Sequence, residues 1–206
     1  MTTMKKKLEY LKIALKIIIA LFGIGFFIAH FINPAAWPKP LSYLATIVLP
    51  LIPEFLGLFK IKPSTRLQIA YLFFLILAMV MGIDFDLYKD LYICGNPCFD
   101  KVAHTISGVF AAFVAKEVID KNYDGKVSKT TGNSTVKYYN SSFAWLFIVS
   151  FVAFSAAGWE CFEFLYDKIA GGNMQELISS GLDDTMWDIL SALIAGIISA
   201  HFLKRK

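Results

Sequence analysis

The sequence predicts an all-α polytopic membrane protein, a bundle of six transmembrane helices with both termini on the cytoplasmic side. Three observations carry this expectation. The 206 residues are 57% hydrophobic and 17% charged, against about 45–50% apolar and about 25% charged in soluble domains. Apolar runs long enough to cross a bilayer recur along the chain. Lysine and arginine crowd onto alternate connecting segments. Intrinsic disorder is excluded, because its mark is low hydrophobicity. The expected organisation is one integral membrane domain over residues 1–206. Three accessory spans fall in 1–83 and three spans carrying a polar motif in 99–203.

The first apolar run covers residues 11–32, after Lys5, Lys6 and Lys7. A signal peptide is its rival reading, but the run is long for one and Asn33-Pro34-Ala35-Ala36-Trp37 is a poor cleavage site, so a retained span is expected. The others cover 41–59, 67–83, 99–119, 143–166 and 184–203. Each suffices for a hydrocarbon core of about 30 Å at about 1.5 Å per residue. None alternates polar with apolar, which excludes a barrel in favour of helices. Residues 84–92 do alternate and are expected as an interfacial helix or a short extended stretch. The polar segment 120–142 reads as a mobile cytoplasmic connection.

Orientation follows from charge. Sixteen of the 20 basic residues share one side of the alternating topology, and Lys39, Lys89, Lys101 and Lys168 hold the other. The positive-inside rule makes the crowded side cytoplasmic, so the expected location is the cell membrane, multi-pass, with both termini inside. The lipid bilayer is the first partner implied, and no nucleic-acid partner is expected.

Ionisable groups inside spans are costly and usually functional. The first three spans hold His30 and Glu54, the latter beside Pro53. The last three hold Asp100 and His104, Glu160 and Glu163, and Asp184 and Asp188. Spacings of four, three and four residues place each pair on one helix face. Counted from the cytoplasmic ends, His104, Glu160 and Asp188 lie at a common depth of about 24–26 Å. They are expected to meet as an inner tier, with Asp100, Glu163 and Asp184 wetter and further out. Rows of small residues, Gly108-Ala111-Ala112-Ala115 and Ala192-Gly196-Ala200 among them, allow the helices to close in.

Five carboxylates together repel unless a cation or a basic partner compensates. One reading is a divalent metal on His104, Glu160 and Asp188, since oxygen ligands suit Mg, Mn or Ca and an imidazole admits Zn or Fe. A second is acid/base catalysis by Asp100, His104, Glu160, Glu163, Asp184 and Asp188. The third is a bracing network with Asp100 and Asp184 at helix starts. Cys94 and Cys98, around Gly95-Asn96-Pro97 on the outer side, read as a small disulfide loop or two idle thiols. Cys161 reads as packing, and Trp159 and Trp187 as interfacial anchors.

Phe99-Asp100-Lys101-Val102-Ala103-His104, followed by Gly108, resembles the Asp-x-x-x-His motif of the YjdF-like bacterial inner-membrane proteins. Gly158-Trp159-Glu160-Cys161-Phe162-Glu163-Phe164 is similar to that family's Glu-x-x-Glu-aromatic segment, and Asp184-Thr185-Met186-Trp187-Asp188-Ile189-Leu190 to its Asp-Thr-x-x-Asp segment. The Asp-Lys-x-x-His start, a later Glu and a final Asp also look like the wider VanZ-like group, associated with glycopeptide resistance. The resemblance covers the last three spans and implies that the six motif residues act as a unit. It supplies no reaction. Three function classes remain open: an envelope enzyme acting on a lipid or lipid-linked substrate, a cation binder or transporter, and a lipid- or drug-binding protective protein.

Overall fold

The computed structural model describes residues 3–35, 39–58, 62–85, 87–90, 92–93, 96–122, 127–131, 134–138, 140–170 and 181–203. Among these, six helical spans are long and apolar enough to cross a membrane: Thr3–Ile32, Pro40–Leu58, Thr65–Asp84, Phe99–Lys121, Ser141–Ile169 and Leu182–Leu203. The chain divides into two compact units, Met1–Asp100 and Lys101–Lys206. Large apolar side chains lie exposed along the spans, Ile17, Leu21, Phe154 and Ile194 among them, as lipid-facing surfaces require and soluble monomers avoid.

In the first unit, helix α1 (Thr3–Ile32) packs against α2 (Pro40–Val48) and α4 (Thr65–Leu75). Leu15 and Ile19 of α1 join Ile69, Leu72 and Leu75 of α4, with Met79 and Val80 beyond, in one buried cluster. Gly23 sets the α1–α2 distance, because a Cβ there would lie 2.8 Å from Ile47 Cγ1 and 3.0 Å from the Tyr43 carbonyl oxygen.

The second span is broken by its prolines. After α2 comes a 3₁₀ turn, Leu49–Leu51, and then α3, Ile52–Leu58. Pro53 has no N–H for the Leu49 carbonyl four residues back. The Tyr71 hydroxyl donates to that oxygen instead, at 2.9 Å, beside the Ile52 N–H. Glu54, just past the break, is exposed and pairs with Lys16 of α1.

The third span changes register. Its α4 half starts under a Ser64 cap that accepts from the Leu67 N–H at 3.3 Å. It then widens into a π-helical segment, Ile76–Asp84, closed by a Phe85 N–H bond to the Val80 carbonyl at 2.9 Å. Such segments are rare and concentrate at functional positions. A short helix α5 (Leu87–Asp90) and a two-rung hairpin, β1 (Tyr92–Ile93) with β2 (Asn96–Pro97), follow. Residues 84–92, expected as a helix or an extended stretch, hold the short helix, and only the last of them, Tyr92, enters β1.

The second unit contains α6 (Phe99–Asn122) from Lys101 onward, α7 (Ser141–Ala170) and α8 (Leu182–Leu203). Ala111, Ala112, Ala115 and Ile119 of α6 pack with Ala144, Ile148 and Val152 of α7 and Ala200 of α8. Asn140 caps α7, its side-chain oxygen accepting from the N–H groups of Ser142 and Phe143 at 2.8 and 3.3 Å. Gly181, at φ +53°, takes a left-handed turn just before α8.

Between α6 and α7 the fold holds more than the sequence predicts. Within the connection, β3 (Val127–Thr131) and β4 (Ser134–Tyr138) pair antiparallel, Val127 opposite Tyr138 and Thr130 opposite Thr135. The segment is polar, but its Val, Thr and Tyr content suits a pleated strand.

Candidate functional site

The polar residues of the second unit gather because two glycines let its helices touch. A Cβ on Gly108 would lie 2.1 Å from the Ala192 carbonyl oxygen, so α6 and α8 are in backbone contact there. His104 lies one turn before Gly108, and Asp188 one turn before Ala192. The parallel helices therefore hold these two side chains at the same separation and level. Gly196 does the same for α7 and α8, a Cβ there coming within 2.6 Å of Val152 Cγ1. Two turns above that contact, on the antiparallel α7, stands Glu160.

His104 is buried between two carboxylates, with Nδ1 3.9 Å from Glu160 Oε1 and Nε2 3.9 Å from Asp188 Oδ1. Both distances exceed a hydrogen bond; they describe an imidazole flanked by charge on each nitrogen. Asp100 is carried on the same helix one turn earlier, the division between units falling inside the first turn of α6. Asp100, His104 and Asp188 each offer one ligand atom, all within 4.8 Å of one another.

Lys101 was not among the expected site residues, yet its ammonium lies 2.6 Å from Asp184 Oδ1 and 2.6 Å from Asp188 Oδ1. Its side chain is 29% exposed and that of Asp188 only 3%, so the bridge reaches from the wetter edge into the buried centre. Asp184, expected in an outer tier apart from Asp188, shares this lysine with it. The signal was present in the sequence: Lys101 precedes His104 by three residues and shares its face.

Glu160 and Glu163 of α7 are both buried, and so is Asp167, a further turn along and outside the paired motifs. Glu163 accepts from Trp159 Nε1 at 2.6 Å. Trp159 therefore has a specific partner on its own helix, beyond the role of a membrane anchor, while Trp187 is 61% exposed as an anchor would be. Cys161 is exposed, not packed. The expected Cys94–Cys98 pair falls on Cys94, which lies outside the described residues.

A family model described as a predicted membrane protein family, DUF2238, matches residues 11–206. The chain belongs to the DUF2238 family. This match extends membership over the first three spans, where no motif had carried the resemblance, and the YjdF-like naming agrees with it. Comparison with curated proteins and with solved structures finds no match. Family membership makes the chain a predicted membrane protein, and its six apolar helices make it multi-pass; the chemistry must be argued from the residues.

Proposed function

We propose that this DUF2238 protein binds a divalent cation through Asp100, His104 and Asp188 at the outer side of the cell membrane, where it serves chemistry on a lipid or lipid-linked envelope substrate. The observation that carries the reading is the approach of three ligand atoms, from one imidazole and two carboxylates, within 4.8 Å of one another. Mixed oxygen and imidazole donors suit Mn, Zn or Fe. Glu160 faces the other imidazole nitrogen, Nδ1. It is better suited to accept from Nδ1–H, fixing the tautomer and leaving Nε2 to ligate, than to join the ligands as the sequence suggested. A bound cation would supply Lewis acidity toward a headgroup oxygen. Lys101 would then stand beside it as a second positive group for an anionic headgroup. The outward placement rests on the lysine and arginine asymmetry.

A second reading has one observation in its favour. Lys101 already bridges Asp184 and Asp188, which favours a cluster that braces the helices or binds a ligand without chemistry. Metal titration of the purified protein separates the two. Tight, stoichiometric binding of Mn²⁺ or Zn²⁺, lost in Asp188→Asn while the helical signal is kept, supports the cation site. A protein free of metal whose melting temperature is indifferent to added cation leaves the brace.

A further inference from the structure

The first unit holds a buried acidic side chain that no motif singled out. Asp84 ends the π-helical segment and is 4% exposed. Thr46 of α2, fully buried, lies with its hydroxyl oxygen 3.0 Å from Asp84 Oδ2 and 3.1 Å from the Ser42 carbonyl oxygen. A hydroxyl has one hydrogen to donate. Thr46 therefore has one hydrogen for two acceptors, and both contacts are made at once only if the hydrogen between Thr46 and Asp84 comes from the carboxyl. The other oxygen, Asp84 Oδ1, is buried without a hydrogen-bond partner among the described residues. That arrangement is costly for a carboxylate and much less so for the carbonyl oxygen of a neutral acid.

The surroundings agree. Lys39 supplies the nearby positive charge, and its ammonium donates to the Ile83 carbonyl at 2.8 Å. Aromatic rings gather at this end. Phe22 and Phe26 of α1 stack edge-on to Phe85, Tyr43 of α2 stacks on Phe26, and the Tyr88 ring covers Gly82.

We propose that Asp84, Thr46 and the Ser42 carbonyl form a proton-binding site in the first unit, with Asp84 held as the carboxylic acid at the head of a donor chain. The chain runs from Asp84 Oδ2 to Thr46 Oγ1 and from Thr46 Oγ1 to the Ser42 carbonyl. Loss of the proton leaves a buried carboxylate whose one neighbouring hydroxyl must turn away from Ser42 to serve it. Proton exchange is thereby coupled to the contact between α2 and the π-helical segment, which is where a proton-responsive movement would begin.

The test is infrared difference spectroscopy on the full chain in detergent or lipid at neutral pH. Asp84→Asn keeps the shape, and its amide donates to Thr46 as the acid does, so its melting temperature should stay close to that of the unaltered protein. The spectrum of the unaltered protein minus that of the variant should contain a carboxylic-acid carbonyl band that shifts in D₂O. If Asp84→Asn does not fold, Asp84→Glu serves in its place, because a protonated Glu gives a displaced acid band. Carboxylate stretching bands in the difference spectrum, with no acid band, overturn the proposal.

Discussion

Replacing Gly108 by alanine tests how the cluster is held together. The added Cβ would sit 2.1 Å from the Ala192 carbonyl oxygen and 2.7 Å from its carbon. A carbon–oxygen contact is comfortable only from about 3.3 Å, so α6 and α8 must part by about 1.2 Å at this level. The obstacle is backbone, which cannot rotate aside as a side chain would. Overpacking of this kind costs about 1–3 kcal/mol. One turn above, the same displacement carries His104 Nε2 from 3.9 Å to about 5 Å from Asp188 Oδ1. That is too far for two atoms about 2 Å from one metal, whose separation cannot exceed about 4 Å. Gly158→Ala is the matched control, because a Cβ there meets nothing within 4 Å. It should be neutral or stabilising by up to about 1 kcal/mol, through helix propensity. Thermal melts of both variants in detergent, followed by circular dichroism, are compared alongside their Mn²⁺ or Zn²⁺ affinities. If Gly108→Ala melts with Gly158→Ala and binds metal equally well, the close backbone approach does not set the site's geometry.

Lys101→Met keeps the length of the side chain and removes the ammonium shared by Asp184 and Asp188. It should destabilise by about 3–5 kcal/mol, the usual cost of stranding a buried charge, and added Mn²⁺ should restore much of the melting temperature. An unaltered melt would mean that Lys101 is not holding the carboxylates. Tyr71→Phe removes the hydroxyl that serves the Leu49 carbonyl at the Pro53 break and should cost about 1 kcal/mol, read in chemical or thermal unfolding. A reporter inserted between β3 and β4 should report the cytoplasm. An external signal there would move the whole cluster to the inner face.

The spans were legible because hydropathy over a bilayer's thickness is a long and redundant signal. Their ends were less so. Helix α1 begins at Thr3, well before the apolar run at residue 11, since Glu9, paired with Lys12 and accepting from Thr65, continues the helix beyond the greasy stretch. The π-helical register of Ile76–Asp84 left no mark in the sequence. An apolar run reads the same at either winding, and the widened turn is settled by what packs around it. The β3–β4 hairpin was hidden by its composition, because residues 127–138 show no regular alternation of apolar and polar residues to betray a strand.

Within the site, depth counting along regular helices was enough to bring His104, Glu160 and Asp188 to one level, because each helix rises by the same amount per residue. What counting could not supply was which charge answers which. In the sequence Lys101 stands among four basic residues on the sparsely charged side and within the Asp-Lys-x-x-His start, three residues before His104 on the same face, and neither fact names its partners. A lysine at a span's outer edge can serve as both a topological charge and a counter-ion, and the distinction is made by its partners on another helix. Among the groups of the site itself, carboxylates outnumber cations even with Lys101 in place. If ionised, Asp100, Glu160, Asp184 and Asp188 are four carboxylates against one ammonium and, at most, one imidazolium. Counting these groups alone, an imidazolium leaves two negative charges and a neutral imidazole three, in a setting where low dielectric magnifies each of them. Protons could absorb that excess, and a divalent cation on a neutral His104 would cut it from three to one. Of the two, the cation alone uses the convergence of Asp100, His104 and Asp188, and this is why metal titration, before any activity assay, is the measurement that decides between a brace and a working site.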